Sequence, residues 1–181
     1  MNEYNMIKNY TSEIIDNFRI SDKKELIVVC IGTDKCIGDC LAPMIGTFIE
    51  ERNNNIKIYG TLSEPVHALN IHKRLDEINY NHPNAFIIGI DACLGDEEDI
   101  GEIRLRDYSI SPGKGVGKEL PQVGDMSIIG IVDSSDNSEF FFMNKSIRLS
   151  FIYDMAKTIS EIVENTYKEL LNLNNNIAVT I

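Results

Sequence analysis

Two aspartates stand where hydrophobic runs give way to turns. The first run, Leu26-Ile27-Val28-Val29-Cys30-Ile31, leads through Gly32-Thr33-Asp34 to Gly38-Asp39-Cys40-Leu41-Ala42-Pro43. The second, Phe86-Ile87-Ile88-Gly89-Ile90, ends directly on Asp91. A carboxylate at a strand end can serve as a general base, activate a water or ligate a cation. Two carboxylates held close together raise one pKa and can divide acid from base roles. In open α/β sheets the carboxyl ends of parallel strands are where ligands bind, so Asp39 and Asp91 form the candidate pair. Each also has a plainer reading. Asp39 and Asp34 suit a turn or a helix start, where the macrodipole favours negative charge, and Asp91 could simply accept the N–H groups of Ala92 through Gly95.

Other residues join the candidate site with less support. His67, in Gly60-Thr61-Leu62-Ser63-Glu64-Pro65-Val66-His67, lies just beyond a third strand and could orient a reacting partner or simply pack. Gly32 and Gly38 frame a supporting turn with Asp34, where glycine lets the backbone bend tightly. The turn is neither a dinucleotide fingerprint nor a P-loop. Cys36 and Cys40 are separated by three residues and no second pair completes a zinc set, so no metal or other cofactor is expected. A cysteine nucleophile from Cys36, Cys40 or Cys93 paired with His67 is a further arrangement. The glycine-rich stretch Ser111-Pro112-Gly113-Lys114-Gly115-Val116-Gly117-Lys118 reads as a surface loop, or as a flap whose Lys114 and Lys118 bind a carboxylate or stabilise developing negative charge.

The elements that must position these groups follow from hydrophobic period. Residues 5–18 repeat apolar side chains at helical spacing, within an N-terminal helical segment 1–20. Residues 26–31 form a strand covered on both faces. A helix with Leu41, Met44, Ile45 and Phe48 follows, with Pro43 in its first turn. A short strand is expected over 56–60, a helix over 66–79 and a strand over 85–90. An alternating edge strand is expected within 96–110, loop over 111–125, buried strand over 127–133 and one more strand at 139–142. A long helix over 146–172 closes the chain, and residues 173–181 read as a frayed tail. Alternating strands and helices predict one α/β domain over 1–181 with a mostly parallel sheet.

Composition narrows the partners. The net charge of −11, from 17 basic and 28 acidic residues, argues against nucleic acid, whose phosphates call for clustered Lys and Arg. It equally disfavours an anionic membrane surface. No apolar run approaches the length of a membrane span, and the start, Met1-Asn2-Glu3-Tyr4-Asn5, lacks a signal-peptide pattern. A cytoplasmic protein with reduced thiols is expected, and a homo-oligomer is compatible with the sequence.

With these residues in view, the chain resembles the YyaC family of sporulation proteins, relatives of the germination protease that degrades small acid-soluble spore proteins. The matching stretches are Cys30–Asp34 with Gly38–Pro43, Gly60-Thr61-Leu62 with Pro65–Asn70, Ile90–Gly95, and Pro112-Gly113 with Lys118–Asp125. The resemblance implies a three-layer αβα sandwich, phosphorylase/hydrolase-like, shared with hydrogenase-maturation proteases. It implies peptide-bond hydrolysis in which Asp39 and Asp91 match the germination protease's proposed catalytic aspartates, Ala42 standing where that pattern has Gly. The maturation proteases add a later histidine that contacts nickel. No histidine follows Asp91, so that ligand set is incomplete here. The chain is also much shorter than the germination protease. The resemblance thus implies a sporulation-associated, peptidase-like protein acting on a protein or peptide in the forespore or mother cell. The other reading is a non-catalytic protein that binds a peptide, small molecule or cation in the same acidic cleft.

Overall fold

The computed structural model describes residues 2–52, 55–113, 120–136 and 147–178, with side chains described as far as Leu173. The expected strand at 139–142 and the lysines Lys114 and Lys118 lie outside the described residues.

Helix α1 (Glu3–Ile20) begins where the Asn2 side chain accepts the Asn5 N–H at 2.9 Å, supplying a partner that the first helical turn lacks. Strand β1 (Glu25–Cys30) leads through a 3-10 turn (Gly38–Cys40) into α2 (Leu41–Arg52). Strand β2 (Lys57–Tyr59), helix α3 (Ile71–Asn81) and strand β3 (Ala85–Gly95) follow. After a second 3-10 turn (Glu97–Asp99) come β4 (Ile103–Arg106), β5 (Met126–Ser134) and α4 (Leu149–Ala178). The fold is α/β: among the described residues there is one five-stranded sheet in the order β2-β1-β3-β5-β4, parallel except for β4.

Alternate residues of the strands feed two separate cores, as the two-residue period of a pleated sheet requires. Leu26, Val28, Cys30, Phe86, Ile88, Ile90 and Ile128 pack with the buried faces of α1, α2 and α4. Ile27, Val29, Ile31 and Ile129 pack with Ile71, Leu75 and Ile78 of α3. Strand β5 is buried along its whole length, which accounts for its continuous apolar run.

Three boundaries differ from the sequence expectation. Helix α3 starts at Ile71, not near 66, because the preceding residues are held in turns of their own. Thr61 N–H bonds the Glu64 carbonyl, and the Asn70 side chain bonds both the His67 N–H and the Pro65 carbonyl at 2.9 Å. Strand β3 continues to Gly95, because β5 keeps pairing with it over Asp91–Gly95. Asp91 is therefore inside a strand and not just beyond one. Helix α4 begins at Leu149 and its backbone stays helical through the Asn-rich segment to Ala178. Among the described residues, no helix is long and apolar enough to cross a membrane.

Candidate functional site

The path of the chain through the sheet creates the site. From β1 it moves outward to β2, then crosses back over β1 to β3. The strand order therefore reverses between β1 and β3, and in an open α/β sheet the crevice at such a reversal is the favoured ligand position. Asp39 follows β1 and Asp91 lies in β3, so the two carboxylates come from the two sides of this crevice.

Local backbone geometry opens the crevice. The Ile31 N–H still bonds the Ile90 carbonyl at 2.8 Å, but Ile31 also bridges Val66, and the Gly32 N–H turns away to the Val66 carbonyl at 2.8 Å. The chain then loops back, and the Thr33 N–H bonds the Asp39 carbonyl at 3.1 Å. Gly32 is required here. Its φ is +152°, and a Cβ on it would stand 2.1 Å from the Asp39 carbonyl oxygen. The turn at Gly38–Cys40 packs against β3, which delivers Asp39 toward Asp91.

Both carboxylates are pushed toward the protonated form. Asp39 rises to about 6, chiefly by removal from water, with a backbone hydrogen bond from Thr33 pulling the other way. Asp91 rises well above the ordinary carboxylate range. Removal from water is the larger cause, the charge of Asp39 adds to it, and the Ala92 N–H opposes it. Both residues keep part of their surface open, as expected for groups deep in a cleft and not sealed in a core. A pair of this kind titrates as a unit in which one proton is held over a wide pH range.

The surroundings of Asp91 include groups that the sequence reading passed over. Sheet register places Ile129 beside Asp91, and Arg104 beside Ile129, in one row. Such a row shares one face of the sheet, so Arg104 and Arg106 stand on the same face as Asp91 and Cys93. Burial and then the Asp91 charge push the Cys93 thiol up, while Arg106 and, more weakly, Arg104 pull it down. Arg104 is engaged by Asp99 and Glu102, each at 2.7 Å. Arg106 lies 5.7 Å from the Tyr108 ring centre. The alternation Ile103-Arg104-Leu105-Arg106 was the available signal for this, since it puts both arginines on one face of a strand.

The remaining sequence candidates fall into place as follows. Asp34 is exposed in the turn after Gly32, and Gly38 opens the 3-10 turn that carries Asp39. Among the described residues, the hydrogen bonds of His67 stay within its own turn: its Nδ1 accepts the Leu69 N–H at 3.3 Å, and its main chain bonds Asn70 and Ile71. None of these bonds reaches Asp39 or Asp91. Cys36 and Cys40 are buried, and the Cys40 thiol, pushed up to about 11, donates to the Ile37 carbonyl at 3.0 Å. Among the described residues, no three His, Cys, Asp or Glu side chains converge to hold a metal ion. The stems of the 111–122 loop, Ile110 and Val123, pair with each other and close over Gly89, where a Cβ would stand 2.9 Å from both. The loop thus springs from the face that carries Asp91.

Two further features lie apart from the aspartates. His82 joins Glu25 at 2.8 Å to the Tyr59 hydroxyl at 2.8 Å, linking the start of β1, the end of β2 and the turn before β3. These residues are far apart in sequence and carry no joint signal. A cavity of about 260 Å3 at the end of β2 is lined by Tyr59, Thr61, Ser63, Glu64 and Arg74, and includes neither aspartate.

Comparison with known proteins agrees with the motif reading at family level. Residues 1–162 match the family described as Protein of unknown function (DUF1256). The protein described as Uncharacterized protein YyaC, from Bacillus subtilis (strain 168), is 38% identical over 155 residues, spanning 85% of this chain and 75% of the relative. With the family matched along most of its length and a relative this similar, the chain belongs to the DUF1256 family, with YyaC as a relative.

Proposed function

We propose that this protein is a sporulation-associated peptidase that hydrolyses peptide bonds with Asp39 and Asp91. Its fold would be the three-layer αβα sandwich of the hydrolase type, and it would act in the cytoplasm of the forespore or mother cell. The observation that carries the reading is the pair itself: two carboxylates from opposite sides of the strand-order reversal, close enough for the charge of one to raise the pKa of the other.

The two environments assign the roles. Asp39, with its pKa near 6, is mostly ionised at neutral pH and takes a proton from a water as that water attacks the peptide carbonyl. Asp91, raised well above the usual range by burial and by the Asp39 charge, serves as the acid and gives its proton to the departing amine. The attacking oxygen bonds to carbon, the C–N bond breaks, and a proton passes from Asp39 back to Asp91 to reset the pair. Lys114 or Lys118 would assist from the loop rooted at Ile110 and Val123. His67, whose hydrogen bonds among the described residues stay within its own turn, is left with a role in shaping the crevice wall.

The test is hydrolysis of a small acid-soluble spore protein and of casein by the purified chain and by Asp39→Asn and Asp91→Asn. Loss of activity in both variants, with a wild-type rate that climbs as pH passes about 6, supports the reading. Activity left intact in both sinks it. A chain that cleaves neither protein, yet shows a peptide-dependent thermal shift abolished by Asp91→Ala, indicates a binding protein that keeps the same cleft.

A further inference from the structure

Among the described residues, no strand pairs with β3 beyond Ile90 on the β1 side. Over Glu25–Cys30, β1 pairs with β3 residue by residue, and the last pair is Cys30 with Ile90. Beyond it β1 departs toward Val66, while β3 continues for Asp91–Gly95 with β5 on its other side. Burial changes at the same point, from an almost fully buried Ala85–Ile90 to half-exposed Asp91–Gly95. Main-chain groups in a parallel strand point to its two neighbours by turns. The Ile90 carbonyl faces β1, since it accepts from Ile31, so the N–H and C=O groups of Ala92 and Leu94 face the vacated side.

Among the described residues, no loop backbone group bonds β3 there. The Ala92 N–H acts on the Asp91 carboxyl and holds its pKa down, and the Leu94 carbonyl accepts the Cys93 thiol at 3.1 Å. That leaves the Ala92 C=O and the Leu94 N–H, the two groups that a single residue of an added strand engages. Opposite Cys93 and Leu94 the register slips by one, leaving Val132 as an extra residue of β5, the kind of bulge that recurs beside ligand sites.

We infer that an extended polypeptide docks on this edge as an added strand, bonding the Ala92 C=O and the Leu94 N–H so that its main chain crosses Asp91 and Asp39. The occupant follows from the pattern of free groups: one acceptor and one donor at strand spacing recognise a peptide main chain whatever its side chains, and they are continuous with the carboxylate pair. The inference deepens the peptidase reading and rests on it for the choice of substrate.

The experiment follows the Leu94 amide by NMR in the 15N-labelled full chain, with an equimolar library of random decapeptides as the probe. The Leu94 amide is expected to move downfield and to exchange with solvent about tenfold more slowly at saturation. The same library N-methylated at alternate amides is expected to bind about two- to tenfold more weakly for each bond lost. A Leu94 amide unmoved by the library, an N-methylated library that acts equally well, or a shift that follows protein concentration instead of peptide overturns the docking. Mass spectrometry of the same samples separates the two ideas. Cleavage with Leu94 unmoved defeats the docking alone, and protection of Leu94 without cleavage defeats the peptidase reading alone.

Discussion

Raising the pH should destabilise this protein through Asp39, and Asp39→Asn should remove that dependence. In the unfolded chain Asp39 has the ordinary pKa of 3.8; in the fold burial raises it to about 6. Between those values the folded state holds a proton that the unfolded state has released, so stability falls as pH rises. The stability is fully present below about pH 4 and is lost by the time pH has passed 6. At about 1.4 kcal/mol per pH unit, the loss comes to about 3 kcal/mol. Water on the open side of Asp39 screens the penalty, which makes this figure a ceiling. Asp91, raised for the same reason and by the Asp39 charge, adds a penalty of the same sign. The assay is urea unfolding of the wild type and Asp39→Asn at several values from pH 4 to pH 8. Subtracting the curves cancels the groups that Asp39 does not influence, as well as any pH-independent cost of the amide, and leaves Asp39 together with the part of the Asp91 titration that the Asp39 charge sets. The variant should gain on the wild type by up to about 3 kcal/mol across that range, mostly between pH 4 and pH 6. A flat difference curve refutes the claim that Asp39 is buried in the crevice.

Other substitutions and reagents read other parts of the account. Gly32→Ala puts a methyl group 2.1 Å from the Asp39 carbonyl oxygen. It should cost about 1–3 kcal/mol in thermal or urea unfolding and shift the Asp39 carboxyl titration. Ile90→Ala opens a hole in the fully buried layer between β3 and the α2/α4 side, for an expected loss of about 2–5 kcal/mol in the same assay. Thiol labelling of the native chain at pH 8 should reach half-exposed Cys93 before any other cysteine. Cys30, fully buried and with its thiol pushed far up, should react only on unfolding.

Much of the arrangement is legible in the sequence where one physical requirement dominates. Leu26–Ile31 and Ile128–Val132 are continuous apolar runs because both sheet faces are covered there, and such runs read plainly as buried strands. Pro43 sits in the first turn of α2, where its missing N–H costs nothing. Asp39 and Asp91 could be singled out because a carboxylate beside a buried strand is expensive to keep without a reason. The boundaries that differ depend on partners distant in sequence. The strand at Phe86 runs on past Asp91 only because β5 pairs with it. The apolar spacing Val66-Ala68-Leu69-Ile71 imitates a helix, but the Asn70 side chain holds that segment in a turn. The Glu25–His82–Tyr59 link and the approach of Arg106 to Cys93 arise from sheet register, which a single sequence does not specify.

The central claim is that Asp39 and Asp91 form one electrostatically coupled pair, and carboxyl 13C NMR titration of the two side chains tests it most directly. Asp39 should titrate with a midpoint of about 6 and Asp91 well above the ordinary carboxylate range, with the Asp91 midpoint falling in Asp39→Asn as the neighbouring charge is removed. Two independent midpoints near the ordinary carboxylate value of about 4, unchanged by that substitution, would contradict it.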